Sequence, residues 1–477
     1  MQEILKDAIK LLRKKGVDYA DIRKIRHLRE NVAVKNDAAE NISIEEEHGI
    51  GIRVLYKGCW GFCSTSDLIE EKINHAALEA IEIAKSSNLI NKQKVKLSPA
   101  PAVVDKFKTN YEVDPFQVPL DKKLDYLFWA CQILNEHENI RTAVGCLEFH
   151  KIHKLFLNTE GSHIEQDFLE SGGYIEATAT LGDEFQKRSY PNSHSSQLSQ
   201  EGFEYVKKMD FVGGAEKIKK EAVALLRAKE MPKKITTVIL DSSQMALQIH
   251  ESCGHPIELD RVLGDELSFA GSSFLTPEKL GKFRYGSKLV NIVADATAPG
   301  GLGTFGYDDE GTKAHKNQII KNGLFVGYLS SRETAAKIGH KSTGAMRCAA
   351  WNMTPIIRMT NINLEPGDAT LEELISDTKD GVFMTTNKSW SIDERRLNFQ
   401  FGAEIAWEIK NGKLGQIYKN PVYTGITPEF WNSCSGIANK NYWQMWGVPN
   451  CAKGEPIQVI HVGHGSSPAR LEKVQVG

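Results

Sequence analysis

Two Asn-Gly pairs, Asn322-Gly323 and Asn411-Gly412, each interrupt a run of alternating apolar and polar residues. A two-residue hairpin turn needs positive φ at both central positions, which Asn and Gly reach most readily. The spacing therefore predicts hairpins over 317–329 and 399–418. A strand over 236–240, followed by a helix from about Ser242, opens this half, and one further helix is expected at 370–379. Strands otherwise dominate it.

The first half alternates differently. Ile4, Leu5, Ala8, Ile9, Leu11 and Leu12 follow a helical period that Lys14, Lys15 and Gly16 bring to an end. Helices are also expected over 67–87, 121–136 and 215–228. Strands are expected over 20–25, 31–34, 140–158 and 162–180, with a hairpin of 50–56 and 59–63 around Lys57-Gly58. Four prolines (99, 101, 115 and 119) mark 97–119 as an extended joining loop and a subdomain break. The polar stretch 190–199 reads as a surface loop or lid. Met231-Pro232-Lys233-Lys234 is the expected boundary. It separates an N-terminal α+β domain, 1–231, from a strand-rich C-terminal domain, 232–477, that carries the metal site. Both halves mix helix with antiparallel strand, so the class is α+β.

The 477 residues carry 59 basic and 61 acidic side chains, a formal net charge of -2. No basic excess points to direct nucleic-acid binding. No apolar run approaches the ~20 residues that span a bilayer. The charged amphipathic start lacks the apolar stretch of a signal peptide, and a cytoplasmic location is expected. Eight scattered cysteines read as free thiols in a reducing compartment.

The segment His250-Glu251-Ser252-Cys253-Gly254-His255 carries the chemistry. Zinc-protease helices place two histidines four apart with a Glu after the first. Here they are five apart, about 140° round a helix of ~3.6 residues per turn. Two routes bring the rings back together. One is a π-bulge. The other ends the helix at Gly254, with Pro256 pushing His255 out of the α region and Gly254 supplying a permissive backbone. Otherwise the two histidines are unrelated. Zinc needs a third ligand, and by residue type Cys253, Glu258, Cys451, His461 and His464 qualify. His461 and His464, three apart on a strand, point to opposite faces, as do His150 and His153. Asp308 and its acidic neighbours form a turn, a helix cap or a contact to a metal-bound ring. Glu258 is placed to orient His255.

In order along the chain, HESCGHPIELD, FGYDDEGT (305–312), NGLFVGYL (322–329), RMTN (358–361) and GVPNCAKGEP (447–456) resemble the TldD/PmbA family. Members of that family were historically labelled modulators of DNA gyrase. The resemblance covers essentially the whole chain. Its TldD branch keeps H-E-x-x-x-H, as here, and its PmbA (TldE) branch has lost it. The resemblance implies a zinc metallopeptidase whose ligands are His250, His255 and Cys451, with Glu251 as general base. Ala452 stands where the family commonly has Gly, and His464 where an apolar residue is usual. A thiolate makes the zinc a softer Lewis acid, so a second oxyanion donor is expected, with Arg347 and Tyr307 as candidates. The resemblance further implies a dimer enclosing the sites, either a homodimer or a heterodimer with a PmbA-type paralogue. Extended peptide would enter by pairing with a strand edge. The alternative suggested by the old name is a non-catalytic regulator of gyrase or of a toxin–antitoxin pair.

Overall fold

Long antiparallel strands build the first half. The computed structural model describes residues 1–91, 93–193 and 196–477. Tyr19–Lys35 lies between Ala38–Tyr56 and Ile140–Asn158, and the sheet continues through His163–Leu181 to Val104–Lys108. Strand alternation then sorts side chains onto two faces. Ile22, Val32, Ile52, Leu147 and Leu157 face one way, into two apolar clusters. The helices Gln2–Lys14 and Glu70–Ile90 cover one cluster, and Leu120–Asn135 and Phe211–Leu225 cover the other.

The opposite face is polar yet buried, because the second half packs on it. Arg23 donates to Cys348 Sγ at 2.5 Å, and Gln166 bonds the Tyr307 backbone in both directions. Glu170 pairs with His461 at 2.6 Å.

Two expectations change here. The strands expected over 20–25 and 31–34 are one strand, Tyr19–Lys35. The charged stretch between them stays in the sheet because Arg26 and Arg29 pair across to Glu46 and Glu47. The proline-rich loop contains a strand, Val104–Lys108, held parallel to His163–Leu181. Of the loop 190–199, residues 194–195 lie outside the described residues.

In the second half both Asn-Gly turns form, with φ of 49° and 76° at Asn322-Gly323 and 49° and 74° at Asn411-Gly412. Pairings run from Asp380–Ile392 through Lys234–Leu240, Ala469–Val476, Val422–Ile426 and Asn398–Lys410, then back to Asp380–Ile392. The sheet therefore closes on itself. The helix Ser242–Ile249 leaves this ring directly after Lys234–Leu240, started by the Asp241 carboxylate accepting from Gln244 N–H at 2.9 Å. All of its residues are buried. Its polar side chains find buried partners: Gln244 donates to the Tyr423 hydroxyl, which donates to Gln248. A two-stranded ribbon, Gln444–Lys453 with Gln458–Ser466, packs near this helix and carries Cys451, His461 and His464.

Candidate metal centre

Beyond Ile249 the helix widens. Residues His250–Gly254 form one π turn, closed by a bond from His255 N–H to the His250 carbonyl. The extra residue brings the two imidazoles together, with ring centroids 4.8 Å apart and planes at 89°. Of the two routes open to the sequence, the π-bulge is the one taken. The other expectations about this turn need correction. His255 keeps α-region angles, φ -66° and ψ -43°, because Pro256 opens a new 3₁₀ turn, His255–Ile257, where its missing N–H costs nothing. Gly254 is also right-handed, φ -58°. Its smallness matters instead: a Cβ there would lie 2.3 Å from Met359 Sδ.

Cys451 arrives from the ribbon, whose register slips between Val448 and Cys451. Such a bulge re-aims the side chains that follow it. Its Sγ lies 3.9 Å from His255 Nε2, and one ligand atom from each of His250, His255 and Cys451 lies within 4.8 Å of the others. Ligands at ~2.0–2.3 Å from a tetrahedral zinc are roughly 3.3–3.8 Å apart, so the donor set fits the ion.

The hydrogen bonds behind the rings decide which nitrogen is free. Ile362 O can only accept, so His464 donates to it from Nδ1 at 3.2 Å, and His464 Nε2 meets His250 Nδ1 at 2.8 Å. When His464 accepts at that contact, His250 donates from Nδ1 and keeps a lone pair on Nε2. His255 Nδ1 faces the Glu258 carboxylate at 3.1 Å, so its Nε2 is also a lone pair, turned toward the sulfur. Burial pulls both imidazoles below their ordinary pKa and keeps them neutral. Burial pushes the Cys451 thiol up, but opposing charge, the Arg358 guanidinium first, outweighs it and leaves the thiol below its usual value.

These three residues and Glu251 line a cleft of about 510 Å³. Trp390, Ile392, Phe269 and Val448 supply apolar wall. Glu251 accepts from Arg396 Nη1 at 2.5 Å, and Arg396 lines the same cleft.

The remaining expected residues lie elsewhere. Arg347 spends its guanidinium on the carbonyls of Met359, His461 and Leu302, and Tyr307 donates to Asp105 at 2.6 Å. Both line a different cavity, so neither faces the metal cleft as an oxyanion donor. Asp308 accepts from the backbone of Glu310, Thr312 and Met346, which makes it the cap of a turn and not a support for a ring. Cys253 is buried beside Tyr285, its thiol pushed to about 12 by burial, outside the trio. Glu258 does support His255.

Sequence reasoning missed Arg396, which belongs to no motif, and the part played by His464. The opposed facing of His461 and His464 does hold: one meets Glu170 and the other His250. Among the described residues one other group has metal-like spacing, His153, Glu165 and Asp167. It lies near the surface, with Asp167 bonded to His153 and Glu165 paired to Lys106.

A cleft with a buried His/His/Cys set beside a Glu is the donor arrangement of a candidate metal centre. The model of the PmbA/TldA metallopeptidase C-terminal domain matches residues 232–477, and that of domain 1 matches 20–84. A metalloprotease of Methanocaldococcus jannaschii is 33% identical over 409 residues, 86% of this chain and 87% of that protein. The chain belongs to the TldD/PmbA metallopeptidase family. A zinc metalloprotease TldD homologue of Saccharolobus solfataricus is 25% identical over 478 residues, covering 98% of each chain. In fold, the chain is similar to a Thermotoga maritima protein described as a modulator of a DNA gyrase, with TM-score 0.80, 18% identity and full coverage of both chains. It is also similar to TldE of Thermococcus kodakarensis, with TM-score 0.79 and 17% identity over 99% of this chain and 100% of that one. Among the described residues, no helix is long and apolar enough to cross a membrane.

Proposed function

We propose that this chain is a cytoplasmic zinc-dependent peptidase that hydrolyses peptides or unfolded polypeptide segments. The observation that carries the reading is the convergence of a ring nitrogen from each of His250 and His255 with the Cys451 sulfur in one cleft, with Glu251 beside them. Zinc held by His250, His255 and Cys451 would supply Lewis acidity to a water and a carbonyl oxygen. Glu251 takes the proton that the attacking water gives up and returns it to the departing amine nitrogen. Glu258 and His464 hold the two imidazoles in the tautomer that ligation needs. The apolar walls keep water away from the ion pair of Glu251 and Arg396.

The cleft also suits an extended chain. Trp390, Ser391 and Ile392 line it at the end of the strand Asp380–Ile392. Beyond Met384 that strand pairs only with Asn398–Lys410 among the described residues. On that strand's other side Ser193 Oγ donates to Asn387 O, and an extended peptide would pair along the strand's end, which recognises backbone more than side chains. A second subunit, either another copy or a PmbA-type paralogue, would restrict entry to such segments. The family name TldE on a structural neighbour supports a search for that partner.

The test compares wild type with Glu251→Ala for zinc content and for cleavage of an unfolded peptide pool. Zinc at about one per chain in both, with cleavage lost by ~10³-fold or more in the variant, is the expected result. Equal cleavage by the two proteins removes Glu251 from the chemistry. No zinc in the wild type removes the peptidase reading and favours the regulatory one.

A further inference from the structure

Among the described residues, Arg396 is the one Lys or Arg side chain that lines this cleft; the charged residues around it there, Glu251, Asp393 and Glu394, are acidic. Its backbone is firmly held. Arg396 N–H donates to Asp393 O at 2.9 Å, and its own carbonyl accepts from Thr427 Oγ1 at 2.8 Å. The Asp393 carboxylate caps the next two residues, accepting from Leu397 N–H and Asn398 N–H at 2.8 and 3.0 Å. Within this turn Arg396 sits at φ 63°, in the left-handed region where non-glycine residues are uncommon. Such a conformation persists where its surroundings over-determine it, and it clusters at functional sites.

The guanidinium is 13% exposed. Nη1 bonds Glu251, while Nε is buried without an acceptor. An arginine carries several N–H donors in a planar fork, and Glu251 accounts for only part of that capacity. The cation is thus buried beside the proposed base, with unspent donors. Arg347 and Tyr307 have committed theirs to Met359, His461, Leu302 and Asp105.

We propose that Arg396 is the protein's own oxyanion donor, holding the oxygen of the scissile carbonyl as it gains charge. The inference rests on the peptidase reading and adds the residue that completes it. As water oxygen bonds to the carbonyl carbon, the π pair moves onto the carbonyl oxygen, and an Arg396 N–H receives it. The water proton passes to Glu251. When the C–N bond breaks, that proton goes to the amine nitrogen, leaving a carboxylic acid and an amine; the acid's proton, the second from the water, then passes to the amine or to solvent, giving the carboxylate. A thiolate in the donor set weakens the ion's pull on the same oxygen, which is the condition under which a second donor matters most. The Arg396–Glu251 bond holds both groups in register, and substrate entry exchanges part of it for the carbonyl.

The experiment uses the full-length, zinc-loaded protein. Arg396→Ala and Arg396→Lys are compared with wild type for kcat, KM, zinc content, melting and affinity for a phosphinic peptide, whose tetrahedral anion mimics the developing charge. The expected loss is ~10²–10³-fold in kcat with KM changed severalfold at most. Phosphinic-peptide affinity should fall in parallel, with zinc content and melting unchanged. Added methylguanidine should restore part of the kcat of Arg396→Ala and none of any loss in Arg347→Ala. Three results overturn the proposal: kcat retained within threefold; loss confined to KM; or loss of zinc or fold in both variants. An inactive wild type overturns the peptidase reading itself, whereas an active wild type with an unaffected Arg396→Ala overturns this proposal alone.

Discussion

Two buried histidine pairs in this molecule have almost the same shape and opposite chemistry. His250 and His255 meet at 4.8 Å and 89°; His150 and His461 meet at 4.7 Å and 87°. The first pair belongs to the candidate metal cleft, and the second bridges the two halves of the chain. What separates them is where the ring nitrogens are spent. His150 gives one nitrogen to His27 at 2.9 Å and the other to Glu148 at 2.9 Å, and His461 meets Glu170. His250 and His255 each give Nδ1 to a supporting group, and a ring nitrogen from each lies within 4.8 Å of the other and of a buried sulfur. A histidine cluster becomes a metal site through unspent lone pairs; ring contact alone builds an interface.

The sharpest way to break that comparison is to remove one ring from each pair. His255→Ala and Cys451→Ala should each reduce bound zinc from about one per chain to near zero and abolish peptide cleavage, because two ligands rarely retain zinc. His150→Ala should keep the zinc and lower the melting temperature. Zinc measured by atomic emission after dialysis decides it. Equal zinc in His255→Ala and His150→Ala would erase the distinction.

A smaller effect is expected one bond further out. Replacing Glu258 by Gln or His464 by Ala frees the supported imidazole to rotate or to change tautomer, which costs about 10–100-fold in metal affinity. Competition with a zinc chelator at fixed pH measures it. The two substitutions should act on different rings, so their effects should add approximately in the double variant. Unchanged affinity in both would mean that packing around Gly254 and Met359 alone orients the rings.

Much of this frame was legible in the residues themselves. Asn322-Gly323 and Asn411-Gly412 announced their hairpins because only positive φ closes such a turn, and sequence reports that requirement locally. The five-residue histidine spacing left a π-bulge, a helix ended at Gly254 and two unrelated histidines all open, and the resemblance, not the spacing, favoured a metal site. Long-range pairing was not legible. The stretch from Arg26 to Glu30 reads as a break until Glu46 and Glu47 supply partners from the next strand. Val104–Lys108 reads as loop until His163–Leu181 offers an edge. At the site, motif residues were legible by resemblance, whereas Arg396 and the support from His464 depend on which strands close the ring. Arg347 was one candidate donor, with a structural role weighed beside it, and the carbonyls of Met359, His461 and Leu302 that surround it could not be read from its own neighbours in sequence.

The smallest effect separates the pairs by pH. Burial pushes His461 down, but the Glu170 carboxylate 2.6 Å away outweighs it and raises the imidazole above its ordinary value. Burial likewise pushes the Glu170 carboxyl up, and His461 brings it below the ordinary value. Glu148 and Arg347 also act on His461, the first raising it and the second lowering it. A raised histidine stabilises fully below its unfolded pKa of about 6.5 and loses that contribution as pH rises through its folded value. The lowered Glu170 stabilises above about 4.3 and loses its share as pH falls through its own folded value. The bridge between the halves is therefore strongest between these limits, near pH 5–6, and fades toward pH 9. His461→Gln should cost about 1–3 kcal/mol near pH 5.5 and distinctly less near pH 9. Melting curves of wild type and variant at the two pH values read this directly. A gap of equal size at both would mean that the contact works as an uncharged hydrogen bond, and the interface pair would then differ from the metal pair in its partners without differing in its charge.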